Sequence, residues 1–183
     1  MGPSRMSEPD QELFNLAMSD ESRPLLYAVK KHIEENVAPI TDEFFALNEE
    51  KEDRWTWHPR QMELLDGAKA KAKESGLWNF FLPDAETGEG LNNLDYAYIA
   101  SELGKFDLAS ETLNCSAPDT GNMEVLERVG TPEQKEKWLE PLLNGEIRSA
   151  YAMTEPGVAS SDAKNIETRA VLENGEWVIN GEK

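Results

Sequence analysis

Cysteine occurs once in the 183 residues, at Cys115, and histidine twice, at His32 and His58. A single thiol excludes an internal disulfide and a thiolate metal cage, and it is the usage of a reducing compartment. Cys115 sits in an apolar helical stretch with no neighbouring cation, so a buried structural thiol is expected rather than a nucleophile. His32 and Glu35 are three apart, a spacing that on so charged a helix reads as a surface contact; no metal site is expected. Positive charge is scarce as well. Lys and Arg total 18 against 36 Asp and Glu, for a formal charge of −18. Such a chain repels phosphate and anionic lipid, which removes nucleic acid from the expected partners. No apolar run is long enough for a membrane span. The opening MGPSRMSEPD has neither a secretory core nor the basic bias of a transit peptide, and Met6 breaks the myristoylation pattern. The cytoplasm is the default compartment. Residues 1–8 are expected to be a flexible leader. Walker loops, nucleophile elbows and G-x-G-x-x-G are all missing.

What is present is a globular balance, 39% hydrophobic and 30% charged. The first three-quarters carries helical spacing. Leu26, Val29, Ile33 and Val37 fall on one face, and Pro39 ends or restarts that helix. Phe44, Phe45 and Leu47 mark a second apolar face. Pro59 opens a third helix, with Met62, Leu65, Ala68 and Ala72 inward and Gly76 as its C-terminal cap. The connector Leu77 to Pro83 is too apolar to be left in water. A helix over about 93–103 turns Leu94, Ala97, Tyr98 and Leu103 inward, and helix is expected on both sides of Pro118. Thr131-Pro132-Glu133-Gln134 is a capping box; the helix it starts carries Leu139, Leu142 and Leu143 and stops at Asn144-Gly145. Beyond Gly145 the period changes. Ile147 to Met153 suits a strand, and Ile166 to Glu173 and Glu176 to Asn180 alternate around Asn174-Gly175, the preferred dipeptide of a tight hairpin. The fold class is therefore α+β: a helical domain over 9–146, then the first strands of an antiparallel β domain over 147–183.

Tyr151 to Asp162 joins the two. Pro156 fixes one backbone angle, Gly157 frees the next, and Ser160 and Ser161 add donors, a combination that suits phosphate oxygens. Composition alone favours an ordinary loop with an Asx or Ser turn.

Residues 151–183 resemble the segment that opens the middle β domain of acyl-CoA dehydrogenases. The shared pattern is Tyr151, Thr154-Glu155-Pro156, a small-residue loop, Ser161-Asp162, and a hairpin ending Asn180-Gly181-Glu182-Lys183. Upstream, residues 131–156 resemble the helix-to-strand junction of that family. The loop here is one residue longer than the common Gly-rich form. With NCSAPDTGNMEVL and LWNFFLP upstream, it is similar to the subgroup related to the tenth and eleventh human members.

The resemblance implies a truncated acyl-CoA dehydrogenase fold and an FAD-dependent α,β-dehydrogenation of acyl-CoA thioesters. It implies that Thr154 hydrogen-bonds the flavin near N5, that Tyr151 and Met153 lie along the isoalloxazine, and that Ser161, with Ser160 beside it, is near the FAD pyrophosphate. Ser161 would also approach the acyl-CoA. Glu155 is implied to be structural. The glutamate that removes the α-proton is expected beyond Lys183, so these 183 residues are expected to be inactive alone. Electron-transfer flavoprotein is the implied electron acceptor, and a homodimer or homotetramer the implied assembly of the full-length protein. Two other readings stay open: an oxidase or flavin monooxygenase on the same scaffold, and a non-catalytic acidic helical interaction module.

Overall fold

A computed structural model describes residues 16–84 and 87–183. The expected leader at 1–8 lies outside the described residues. The chain divides into two compact units, Met1–Ile147 and Arg148–Lys183.

The first unit is helical. Helix α1 (Arg23–His32) runs into a wide π turn at Ile33–Val37 and continues as α2 (Ala38–Ala46). Pro39 thus restarts the helix, sitting in the first turn of α2, and does not end it. A proline has no N–H and collides with the carbonyl four residues back; the extra residue of the π turn, closed by Ala38 N–H on Ile33 O, opens the helix just before it. The same device recurs where α7 (Pro132–Gln134) passes through a π turn at Lys135–Leu139 into α8 (Glu140–Asn144), with Pro141 in the first turn of α8. Between these lie α3 (Pro59–Glu74), α4 (Asn93–Leu103), α5 (Ala109–Thr112) and α6 (Asp119–Val129).

Helix ends follow local chemistry. Thr131 Oγ1 accepts from Gln134 N–H while Gln134 Oε1 accepts from Thr131 N–H, the reciprocal cap that satisfies two orphan donors. His58 and Gln61 build the same box at the start of α3. Gln61 is fully buried yet satisfied, its amide donating to Phe44 O and Asn48 Oδ1. Gly76 and Gly145 close α3 and α8 in the left-handed region, and a Cβ at 145 would come within 2.8 Å of the Trp78 ring. Trp78 Nε1 and Asn79 Nδ2 both donate to Leu143 O, and Asn114 Nδ2 donates to Leu142 O. The orphan carbonyls at the end of α8 are therefore taken up by side chains from elsewhere in the fold.

Val29, Val37, Phe80, Leu82, Ile99, Leu113 and Met123 form the centre of the core. Leu77 to Leu82 is tucked beneath the helices as its composition requires. Some facing assignments are corrected. Phe45 and Met62 stand partly exposed, and in α4 Ile99 and Asp95 turn inward while Ala97 and Tyr98 turn out. Asp95 is held by Ser19, Ser22 and Asn92, so a carboxylate takes an inward position that hydrophobic spacing could not assign. His32 is likewise no surface contact of Glu35. It is 3% exposed, and its Nε2 lies 3.0 Å from Thr112 Oγ1. Thr112 spends its own proton on Ala109 O, so His32 Nε2 is the donor, and Nδ1 accepts from Asn36 Nδ2 at 3.4 Å, the pattern of a neutral ring. Burial lowers its pKa accordingly.

In the second unit, β1 (Arg169–Glu173) pairs antiparallel with β2 (Glu176–Asn180), Leu172 opposite Trp177 and Ala170 opposite Ile179. Asn174 and Gly175 both take positive φ, as a primed two-residue turn requires. No strand forms over 147–153. Met153 N–H closes a three-residue turn on Tyr151 O instead, because an apolar segment becomes a strand only against a partner, and the sheet ends with β1 and β2. No helix among the described residues is long and apolar enough to cross a membrane. No group of three metal-ligating side chains occurs among them either.

Candidate functional site

The loop from Tyr151 to Asp162 is built of short turns. Ser160 N–H donates to Val158 O, Asp162 N–H to Ala159 O, and Asn165 N–H to Asp162 O. Asp162 Oδ1 accepts from Lys164 N–H, starting a turn of 3₁₀ helix at Ala163–Asn165. The turns leave a ring and two hydroxyls facing water: Tyr151 is 72% exposed, and Thr154 and Ser161 are exposed too. Met153 is half-buried.

Ser160 differs from its neighbours. Only 3% exposed, its Oγ accepts from Glu155 N–H at 2.7 Å, so the hydroxyl expected near a pyrophosphate is turned into the loop. The structure brings Tyr151, Met153, Thr154 and Ser161 onto one accessible loop and gives Ser160 to its interior.

Glu155 is the other buried side chain of this unit, 6% exposed. Its carboxylate accepts from Glu167 N–H at 2.8 Å and Thr168 N–H at 3.1 Å, and Lys183 Nζ lies 3.1 Å from Oε1. The Glu167 N–H above all, then Thr168 and the Lys183 ammonium, bring its pKa down to about 2 against the opposing effect of burial. A carboxylate so held is a poor base. This arrangement escaped the sequence reading, although the pieces, a Thr-Glu-Pro and a Lys closing the hairpin, were visible. The pairing spans 28 positions, which no local pattern connects.

The donor set fits a flavin in part. Exposed Tyr151 and Thr154 offer a ring and a hydroxyl of the kind an isoalloxazine takes, and Ser161 a hydroxyl for a phosphate oxygen. A neighbouring cleft of about 300 Å³ is lined by Glu155, Pro156, Gly157, Glu167, Thr168, Gly181 and Glu182. The three glutamates in its lining repel phosphate, so this cleft is not the place for the cofactor's diphosphate. Cys115 takes no part: it is buried, and burial pushes its thiol up to about 12.

Comparison with known proteins agrees with the motif. Residues 19–146 match the family model described as the acyl-CoA dehydrogenase N-terminal domain. The chain is 48% identical over 171 residues to acyl-CoA dehydrogenase family member 10 of Mus musculus, covering 91% of this chain and 16% of that protein. It is 45% identical over 166 residues to member 11 of Homo sapiens, covering 89% of this chain and 20% of that one. A solved structure from Mycobacterium abscessus, assigned as an acyl-CoA dehydrogenase, superposes with a TM-score of 0.82 at 48% identity. That match covers 90% of this chain and 42% of the other. The chain thus spans less than half the length of each of these relatives.

Proposed function

The chain belongs to the acyl-CoA dehydrogenase family, and on that footing we propose that it serves as part of an FAD-dependent enzyme that oxidises acyl-CoA thioesters between Cα and Cβ. The observation that carries the reading is the Tyr151–Ser161 loop, which bears the family motif and holds Thr154 and Tyr151 out to solvent. When bound, FAD supplies a two-electron acceptor for the hydrogen leaving Cβ. The chain's own part is to place and hold. Thr154 donates its hydroxyl to the flavin edge, Tyr151 and Met153 cover the ring, and Ser161 hydrogen-bonds the diphosphate and the approaching thioester substrate. Ser160 contributes from inside the loop. None of the 183 residues acts as the base in this proposal; Glu155, the carboxylate nearest the motif, is spent on three donors.

The proposal extends to an electron-transfer flavoprotein as acceptor, to a homodimer or homotetramer as the assembly of the full-length protein, and to a cytoplasmic location. It also holds that the 183 residues do not turn over substrate by themselves, since they match less than half of the solved relative. The test is a titration of the full-length protein with FAD and then with acyl-CoAs of increasing length. Flavin bleaching with dye reduction and no peroxide release supports the dehydrogenase. Peroxide release with each turnover points to an oxidase. A protein that takes up no flavin overturns the reading altogether.

A further inference from the structure

The second unit buries just two side chains, Glu155 and Ser160, and both are polar. A loop that is merely scaffold turns apolar side chains inward. Here Ser160 Oγ is spent on the backbone beside one exposed residue, and the Glu155 carboxylate holds the lysine that bonds the backbone on that residue's other side. On the C-terminal side of Thr154, Glu155 N–H donates to Ser160 Oγ at 2.7 Å. On its N-terminal side, Met153 O accepts from Lys183 Nζ at 3.1 Å. The Glu155 carboxylate ties the same Lys183 to the N–H groups of Glu167 and Thr168, just ahead of β1. Thr154 lies between two fixed peptide groups and is itself exposed.

Gly181 makes the tie possible. A Cβ there would collide with Thr168 Oγ1, so only glycine lets the chain leaving β2 lie against Thr168 and deliver Lys183, two residues on, to Glu155. Lone exposed ion pairs contribute little. A carboxylate with two backbone donors and a cation, all within 3.1 Å, instead selects one backbone geometry.

We propose that Glu155, Ser160 and Lys183 are positioning residues that hold Met153 to Glu155 rigid, so that the Thr154 hydroxyl meets the flavin in one orientation; this rests on the flavin reading above. Their action is through Thr154, and none of them touches the reacting atoms.

The experiment uses the full-length protein, with Glu155→Gln, Ser160→Ala and Lys183→Met, and Lys183→Arg as the conservative rescue. Without flavin, amide exchange at Met153–Glu155 should rise about tenfold or more in the first three and stay near the parent value in the fourth. With FAD loaded, the visible flavin band should shift, and kcat should fall about tenfold while KM for the acyl-CoA holds, because a misplaced donor weakens the transition state rather than substrate binding. Ser160→Ala keeps the test sharp should the carboxylate variants unfold the hairpin. Unchanged exchange at 153–155, or an unchanged flavin band and kcat per bound flavin, overturns the inference with the flavin reading intact. Absence of flavin from the parent protein overturns both, and the two failures differ by the flavin band of the parent.

Discussion

The two units keep their shape by opposite means. The helical unit has an apolar interior in which Val29, Phe80, Ile99, Leu113 and Met123 are essentially removed from water. Residues 148–183 have no buried apolar side chain; their interior is a carboxylate and a hydroxyl, while Leu172, Trp177 and Ile179 stand in solvent on one face of the hairpin. The first arrangement draws on burial, which is strong and indifferent to direction. The second draws on hydrogen bonds, whose net worth is small but whose geometry is exacting. The helical unit is built to be stable, and the hairpin unit to hold a loop in one form.

The sharpest way to break this contrast is in the apolar core. Phe80→Ala should cost about 3–5 kcal/mol of unfolding free energy, read by urea denaturation of the helical signal, because Phe80 is 1% exposed and leaves a cavity. A loss under about 1 kcal/mol would mean that burial is not what holds this unit. Acid should come next, and should separate the units. His32 has a lowered pKa, so its contribution is whole above its unfolded value of 6.5 and is lost as pH falls from there through the folded value. Glu155 is depressed to about 2 from 4.5, so its contribution is whole above 4.5 and disappears only between there and about 2. Thermal melts between pH 7 and 5 should therefore show the helical unit weakening while amide protection at Glu167 and Thr168 persists. His32→Gln should flatten the first response and leave the second.

Smaller changes refine the picture. Thr131→Ala removes the cap that accepts from Gln134 N–H and should cost about 1 kcal/mol in the same denaturation experiment. Smallest of all, Trp177→Ala should cost the hairpin less than about 1 kcal/mol, as it removes one exposed cross-strand pair with Leu172. A larger loss, seen as collapse of amide protection across β1 and β2, would show that the outer face carries more of this unit than its exposure suggests.

Much of the architecture was readable from residue order. Val29, Ile33 and Val37 do share a buried face, Thr131 and Gln134 do form the reciprocal cap, and Asn174-Gly175 does make the turn. Each of these is decided within a few residues by spacing or by backbone sterics. The errors lie where the deciding partner is distant or where neighbours are given one face. Phe44 and Phe45 were placed on one apolar face, but adjacent residues of a helix point about 100° apart, and Phe45 turns out. His32 looked superficial because Thr112, 80 positions away, is what receives it. Ile147 to Met153 had the composition of a strand but no neighbour in the sheet. Of the candidate site, the motif gave the exposed residues, while the strut from Lys183 to Glu155 emerged only once the hairpin had folded back.

The two π turns couple chain length to proline. Each ends two positions ahead of a proline, at 39 and at 141, and each carries one residue more than an ordinary turn would. Dropping that residue alone would drive the ring into the carbonyl behind it; replacing the proline alone would leave a bulge with nothing to accommodate. A relative that has lost one should have lost the other, so gaps in an alignment here should coincide with the presence or absence of the ring.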